Sequence, residues 1–538
     1  MELTRASTRS ITLVVAAVIA LAAVLAFAVP IALTDPQLTL EGPDDGTLIG
    51  GDDVTETVFR AVVDREDALD DLVVTLGGDD ITDDAVREER SLTWTPEDLE
   101  DGEHELRVVL AGRVRDQEEV RAFTLDTTPP ELTVDDPEGP IVGDEELVVT
   151  GTVDDTGAVV LVDGTQAERD GERFHATLDP APPGPVEISA TDEAGNLATD
   201  ELVAARVPSR VQVDEIRSVH MTALAWSSDV LREPILEMAR DGLINSVQLD
   251  LKEEDGYLGY DSEVPFAQEY GSGTTRYDLE EAVSTLHELG IHVIGRIVAF
   301  RDPVVSEAAW ERDERDLVIQ TADGDMYHGQ YDGFTNFAHP DIRRYNIEVA
   351  VEAAEAGVDD ILWDYIRRPE GPIDDYLFPG LETSAEEAIV AFTQEADEAL
   401  APYDIGHGIS VYGIALSRPG QMAQDIEAMG EHVDYVAPMV YPSHWGPGEY
   451  GVPDPNAEPR RIVEESVREY VDTLAGTRTR VVPWLQDFNW PVTYTPEMVR
   501  AQIEGSEAAG APEWIMWNAS VRYQADALPP APEGELDS

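Results

Sequence analysis

Hydrophobic and polar positions change rhythm three times along this chain of 538 residues. Residues 11–33, "ITLVVAAVIALAAVLAFAVPIAL", contain no charged side chain. At about 1.5 Å of helix rise per residue, such a run is long enough to cross the hydrocarbon core of a bilayer. Arg5 and Arg9 precede it, which predicts a membrane anchor over residues 1–34 with a cytoplasmic N-terminus and the remainder outside the cell. Ala26-Phe27-Ala28 is a small-x-small site, so a cleaved signal segment and a secreted product is the alternative. Both readings export the domains that follow.

From about 36 to 207 the apolar residues alternate with polar ones in short runs such as "ETVFRAVV", "HELRVVLAG" and "ELVVTGTV", separated by Asp/Gly turns. Period-two alternation of this kind predicts small all-β sandwiches, one over 35–128 and one over 129–208. The break falls at "DTTPP", 126–130, because paired prolines suit neither a helix interior nor a central strand.

After residue 215 strand-like and helix-like segments alternate. Strands are predicted at 220–226, 246–252, 292–300, 360–366, 408–413, 434–441, 480–488 and 513–519, with seven amphipathic helical stretches between them. Gly290, Gly357 and Gly510 stand where three of the helices should stop. The count is that of a (β/α)8 TIM barrel over 215–525, followed by an acidic tail at 526–538. A doubly wound sheet is the alternative, but no glycine-rich phosphate loop follows the first strand.

Charge narrows the range of partners. Asp and Glu number 111 against 35 Lys and Arg, for a formal net charge of -76. A surface of this sign repels nucleic acid and stays soluble in concentrated salt, where screening shortens the range of self-repulsion. It marks the chain as salt-adapted. There is no cysteine, and hence neither a disulfide framework nor a thiolate metal site. His-Glu-x-x-His spacing and a Gly-x-Ser-x-Gly elbow are both missing, so neither a metal nor another cofactor is called for. The single lysine, Lys252, ends the second barrel strand. Regular alternation along "VQLDLK" would put Gln248, Asp250 and Lys252 on one face, with Lys252 pairing Asp250 or reaching a substrate hydroxyl.

Barrel enzymes carry their chemistry at the C-terminal ends of the strands. Here those ends hold Asp250 and Lys252, Arg296, Asp364, Tyr365 and Arg367, Tyr441 with His444 and Trp445, Trp484, Gln486 and Asp487, and Trp517 with Asn518. Carboxylates among Trp and Tyr suit sugar chemistry. Aromatic faces stack on the C–H faces of pyranose rings while paired carboxyl groups act on the glycosidic bond. Glu253 and Glu254 are lesser candidates for such a carboxyl and read first as a solvated charge run. The insertion after the third strand, 301–340, reads as a lid, a subsite wall or a packed loop.

The blocks "VQLDLKEEDGYLGY", "GIHVIGRIVAFRDP", "VDDILWDYIRRP", "VDYVAPMVYPSHW", "PWLQDF" and "WIMWNAS" occur in order, and over residues 215–523 the chain resembles a bacterial family of glycoside hydrolase-like TIM barrels once known only as a domain of unknown function. "TTPP" and "DEAGN" similarly make the two β modules resemble bacterial immunoglobulin-like domains. The barrel resemblance implies a glycosidase acting on a polysaccharide. Asp364 matches its motif and is the first candidate catalytic carboxylate, with Asp487 and then Asp250 as its partner. Arg296 and Arg367 would hold ionised carboxylates; Lys252, Tyr365, Tyr441, His444, Trp445, Trp484, Gln486, Trp517 and Asn518 would bind substrate. Two positions depart from the family pattern: Arg368 replaces an aromatic after the fourth strand, and Ser410-Val411 stands where an acidic residue precedes the Phe/Tyr-Gly pair. The second departure favours the competing expectation, a membrane-tethered carbohydrate-binding protein without catalysis.

Overall fold

The computed structural model describes residues 35–329 and 332–530. The apolar run at 11–33 and residues 531–538 of the acidic tail lie outside the described residues. Among the described residues no helix is long and apolar enough to cross a membrane.

The described chain divides into two compact units. The first, residues 35–136 with 147–203, is all β. Its N-terminal part has a four-stranded and a five-stranded sheet whose buried faces carry Phe59, Leu72, Val108, Leu110 and Phe123. Its C-terminal part has two four-stranded sheets. The strand Leu147–Val153 shows the expected alternation, with Leu147, Val149, Gly151 and Val153 buried.

The second unit, residues 137–146 with 204–530, is built on eight parallel strands. These are β1 (Arg217–Met221), β2 (Ser246–Lys252), β3 (His292–Val298), β4 (Asp360–Asp364), β5 (Gly406–Tyr412), β6 (Tyr435–Met439), β7 (Trp484–Gln486) and β8 (Trp514–Trp517). Pairing runs in sequence from β1 to β6, then β6 to β7, β7 to β8 and β8 back to β1, so the sheet closes on itself. The helices α1 (Asp229–Arg240), α2 (Leu279–His287), α3 (Pro340–Glu355), α4 (Ala385–Leu400), α5 (Ile426–Gly430), α6 (Pro459–Thr473) and α7 (Pro496–Ala509) alternate with the strands. This is the TIM barrel that the sequence periodicity predicts.

Strand alternation sorts the side chains. Val219, Leu249, Val293, Ile361 and Val436 face outward into the layer beneath the helices, while Ile294, Leu362, Tyr435, Val482, Trp484 and Ile515 fill the interior. The three expected helix-stopping glycines have left-handed φ values of 68° at Gly290, 96° at Gly357 and 97° at Gly510. A side chain at such values would be strained.

Four local expectations are corrected. β1 begins earlier than the segment 220–226, because Thr222 caps a short helix, Ala223–Trp226, by accepting from the Ala225 amide. The helical stretch expected between the fifth and sixth strands is broken in two by Ala423, whose φ is +59°. The seventh strand is interrupted at Pro483, which lacks the amide a continuous ladder needs, leaving Arg480–Val481 as a separate pair. In β2 the register shifts between Asp250 and Lys252: Asp250 pairs with inward-facing Arg296, but Lys252 pairs with outward-facing Ile297. This β-bulge turns Lys252 away from Asp250.

Gly408 of β5 leaves room for the Tyr435 ring inside the barrel; a Cβ there would lie 2.4 Å from two of its ring carbons. Both neighbours belong to the closed sheet and cannot relax freely. Gly408→Ala is expected to cost about 1–3 kcal/mol of overpacking, measured as a fall in denaturation midpoint with unchanged denaturant slope.

Candidate active site

Arg296, on the inner face of β3, is fully buried near the C-terminal end of the barrel. A guanidinium presents its N–H donors in a fixed planar fork, and three carboxylates occupy this one. Nη1 donates to Asp250 Oδ1 at 2.8 Å. Nε and Nη2 both donate to Asp364 Oδ2, at 3.0 and 2.6 Å. Nη2 also donates to Glu254 Oε1 at 2.5 Å. Burial alone would lower the pKa of Arg296, but Asp250, Glu254 and Asp364 raise it well above its usual value. The cation is therefore permanent.

The carboxylates differ in what they face. Asp250 on β2 is wholly buried; its second oxygen lies 2.9 Å from His220 Nε2 of β1. Asp364 ends β4, is 2 % exposed, opens on the cavity above Arg296, and accepts the Tyr365 amide at 2.7 Å. Tyr365 holds a φ of +49°, an uncommon conformation for a bulky residue, and strain of this sort is characteristic of functional sites. Glu254 lies in the loop after β2 with its side chain 34 % exposed. Burial would raise its pKa, yet Arg296 overrides that and holds its carboxyl down at about 2. It stays ionised at any ordinary pH.

Above these groups is a cavity of about 680 Å³ with largely aromatic walls. Trp484 and Trp517 stack with centroids 6.5 Å apart, Tyr441 lies 5.8 Å from Trp517, and Phe488 meets Trp517 edge-on at 5.4 Å. The Arg296 guanidinium is 5.6 Å from the Trp484 ring. His444 and Trp490 form part of the rim, 5.4 Å apart, with Trp490 55 % exposed. Three polar groups of this wall, Tyr441 OH, Trp484 Nε1 and Trp517 Nε1, are buried without a hydrogen-bond partner among the described residues. Burial, with Asp364 nearby, pushes the Tyr441 hydroxyl pKa far up, so it remains a donor. Burial lowers the pKa of His444.

Of the residues expected from sequence, Arg296, Asp364, Tyr365, Tyr441, His444, Trp445, Trp484 and Trp517 come together on this cavity. The others lie elsewhere. Asp250 is beneath Arg296. Arg367 packs on the rings of Tyr365 and Tyr412, at 4.6 and 4.7 Å, and donates to the Tyr412 hydroxyl at 2.8 Å. The Gln486 amide donates to the carbonyls of Phe488 and Trp490 and accepts from the Ser443 amide, bracing two loops. Asp487 accepts from Gln524 N and Nε2, both at 2.8 Å, and is set in the closing loop rather than the cavity wall; burial raises its pKa. Asn518 braces the same loop by donating to the Asp487 and Arg522 carbonyls. Lys252 faces the helix layer and pairs with Asp302 at 2.7 Å, not with Asp250.

Two further carboxyls line the cavity: Glu254, a lesser candidate from the sequence, and Glu370, which was not one. Glu254 is not part of a solvated charge run. Its signal lay in the following Asp255-Gly256 turn, which folds the loop back at the strand mouth. Glu370 follows the "DYIRRP" motif and accepts the Tyr412 hydroxyl at 2.5 Å. Arg368, one of the departures from the family pattern, is 1 % exposed and donates to the carbonyls of Pro369, Gly371 and Gly420, which fixes this loop. In the insertion 301–340, Thr321 and Gln320 pair with Tyr376 and Leu377 of the same loop, and Phe334 packs 6.3 Å from Tyr365. Among the described residues no group of three or more His, Asp or Glu side chains is arranged to hold a metal ion.

A barrel whose strand ends converge on carboxylates beneath an aromatic wall is the architecture of a carbohydrate-active domain. Residues 218–523 match the family model described as "Putative glycosyl hydrolase domain", and the chain belongs to that family. No curated protein sequence matches the chain. Among solved structures, it is similar to a hypothetical protein from Ruminiclostridium thermocellum (30% identity, 36% of this chain and 96% of that one, TM-score 0.32). It is also similar to the PgaB (BpsB) glycoside hydrolase domain from Bordetella bronchiseptica (17%, 57% and 95%, TM-score 0.42). A third is the endo-1,4-beta-D-mannanase from Thermotoga petrophila (14%, 56% and 88%, TM-score 0.39).

Arg296→Gln would leave Asp250, Glu254 and Asp364 together without their cation. Removing one partner of a buried ionic cluster costs about 3–5 kcal/mol. The low pKa of Glu254 contributes stability that is present above its ordinary value of 4.5 and lost as pH falls toward about 2. The variant lacks that contribution, and its crowded carboxyls gain by protonating. Urea unfolding at pH 7 and pH 4 should therefore show the deficit against wild type narrowing at the lower pH.

Proposed function

We propose that this protein is an exported, membrane-anchored glycoside hydrolase that cleaves a polysaccharide at the mouth of its barrel. The observation that carries this reading is one cavity: three carboxyl groups, Glu254, Asp364 and Glu370, share it with stacked aromatic rings and with three buried donors that have no partner among the described residues. An unpaired buried donor costs free energy that a ligand hydroxyl recovers. Aromatic faces supply stacking for the apolar side of a sugar ring. A polyhydroxylated ring satisfies both demands.

Roles follow from surroundings. Asp364, accepting N–H bonds from Arg296 and Tyr365, is the carboxylate opposite the positive charge that develops at the anomeric carbon, as nucleophile or stabiliser. Glu254 shares a nitrogen of Arg296 with it, which brings two of the carboxylates side by side at the floor of the cavity. Being held ionised, Glu254 accepts a hydrogen bond from a substrate hydroxyl. Glu370, its side chain 45 % exposed, is the proton donor to the leaving oxygen. The β modules, read as immunoglobulin-like, would be a stalk between the barrel and the segment at 11–33. The net charge of -76 disfavours a polynucleotide substrate.

A second reading, a carbohydrate-binding protein without turnover, is favoured by one observation: β5 ends on Ser410, Val411 and Tyr412 and contributes no carboxylate. The two readings separate on kinetics. Release of reducing ends from cell-wall and exported polysaccharides in high salt should fall at least about a thousandfold in Asp364→Asn. Glu370→Gln should lose activity on the polymer but retain much of it on aryl glycosides whose leaving groups need no proton. Wild-type rates in both variants would refute the assignment, and sugar binding with no turnover in the native protein would favour the second reading.

A further inference from the structure

Lys252, the only lysine in the chain, is completely buried outside the cavity and outside the barrel interior. Its ammonium has three oxygens around it. Nζ is 2.7 Å from Asp302 Oδ2 and donates to Asn346 Oδ1 of α3 at 3.1 Å and to the Ala299 carbonyl, just past β3, at 3.3 Å. It also lies 4.5 Å above the Tyr345 ring. Asp302 is itself committed. Its Oδ1 caps the helix Pro303–Glu311 through the Val305 amide at 2.9 Å.

The loop carrying Glu254 rests on this pair. Lys252 bridges to Leu258 across it, and the Gly256 amide donates to the Glu253 carbonyl to close the turn. Gly256 has a φ of +84°, and a Cβ there would lie 2.5 Å from Asp302 Oδ1 and 3.0 Å from the Val304 amide nitrogen. The turn is thus seated directly on the carboxylate that Lys252 holds. On the other side of the loop, Glu253 accepts the Ala223 amide at 3.0 Å and binds Arg276. Between these two anchors Glu254 extends to Arg296.

From this contact chain we infer that the buried Lys252–Asp302 pair is a positioning element for the proposed reaction: it seats the 253–258 turn so that Glu254 meets Arg296 at the cavity. The bulge in β2 is what makes this possible, since it sends Lys252 outward while Asp250 stays inward to hold the same guanidinium. A lysine suits the enclosed position because a compact ammonium reaches three acceptors where a planar guanidinium would not fit. The inference rests on the functional reading of the cavity, but its test does not need turnover.

The charged and titratable groups around Glu254 are Arg296 of β3, His220 of β1 and Tyr365 after β4, with Asp250 and Asp364 across the guanidinium. Withdrawal of Glu254 from Arg296 would let its pKa rise. The full chain, labelled with 13C-glutamate, is titrated by NMR, and the Glu254 signal is assigned by its loss in Glu254→Gln. In the native protein the midpoint should lie at about 2. Lys252→Met should raise it by about one pH unit or more toward the ordinary carboxyl value. Gly256→Ala pushes on the same seat without removing a charge and should shift it in the same direction, which decides the matter if Lys252→Met does not fold. A folded Gly256→Ala or Lys252→Met protein with its midpoint unmoved would overturn the inference, even if reducing-end release by the native protein had been demonstrated. Failure of catalysis with these shifts present would leave the positioning intact and count against the hydrolase reading alone.

Discussion

One guanidinium organises the C-terminal end of this barrel. Arg296 reaches from β3 to Asp250 at the end of β2, to Glu254 in the loop beyond it and to Asp364 at the end of β4. Any one of these charges buried alone would cost several kcal/mol, and the group is tolerable because the guanidinium donates to all three carboxylates while His220 and the Tyr365 amide meet two of the remaining oxygens. The constraint propagates. β2, β3 and β4 must stay in register, and Tyr365 must hold its strained backbone to donate to Asp364. The result is a set of carboxylates held still before any substrate arrives, which is the condition for electrostatic preorganisation.

The rest of the mouth builds on that centre. Trp484 lies over Arg296 and stacks on Trp517, which contacts Tyr441 and Phe488, so the charged floor passes into an aromatic wall. Gln486 and Asn518 tie the loops beyond β7 and β8, and Asp487 is spent on the same task through Gln524. These residues act on the cavity by shaping it. Membership of a family described as "Putative glycosyl hydrolase domain" and the arrangement of this wall rest on separate observations and agree.

The barrel was legible because its signal is repeated. Eight strands and their helices each contribute a period, and an error at one end, as in β1 or at Pro483, leaves the count intact. Arg296, Asp364 and most of the aromatic wall were legible for a related reason, since regular alternation puts strand-end residues at the mouth. Lys252 was misplaced because that rule fails at a bulge, and a bulge is set by partners such as Asp302 and Asn346, far away in sequence. Glu254 was hidden by composition. In a chain with 111 acidic residues, one carboxylate held by a buried arginine looks like any other until that arginine is seen. Asp487 failed to reach the cavity for a third reason, a loop contact with Gln524 that no local pattern announces.

On the proposed reading, this cavity breaks a glycosidic bond with water. The most direct measurement is to incubate the full-length protein with candidate polysaccharides in 18O-enriched water at high salt and weigh the released fragments. Hydrolysis at this site should place one 18O on the anomeric carbon of each new reducing end. Polysaccharide that binds and is recovered intact, with no 18O incorporated, would contradict the account.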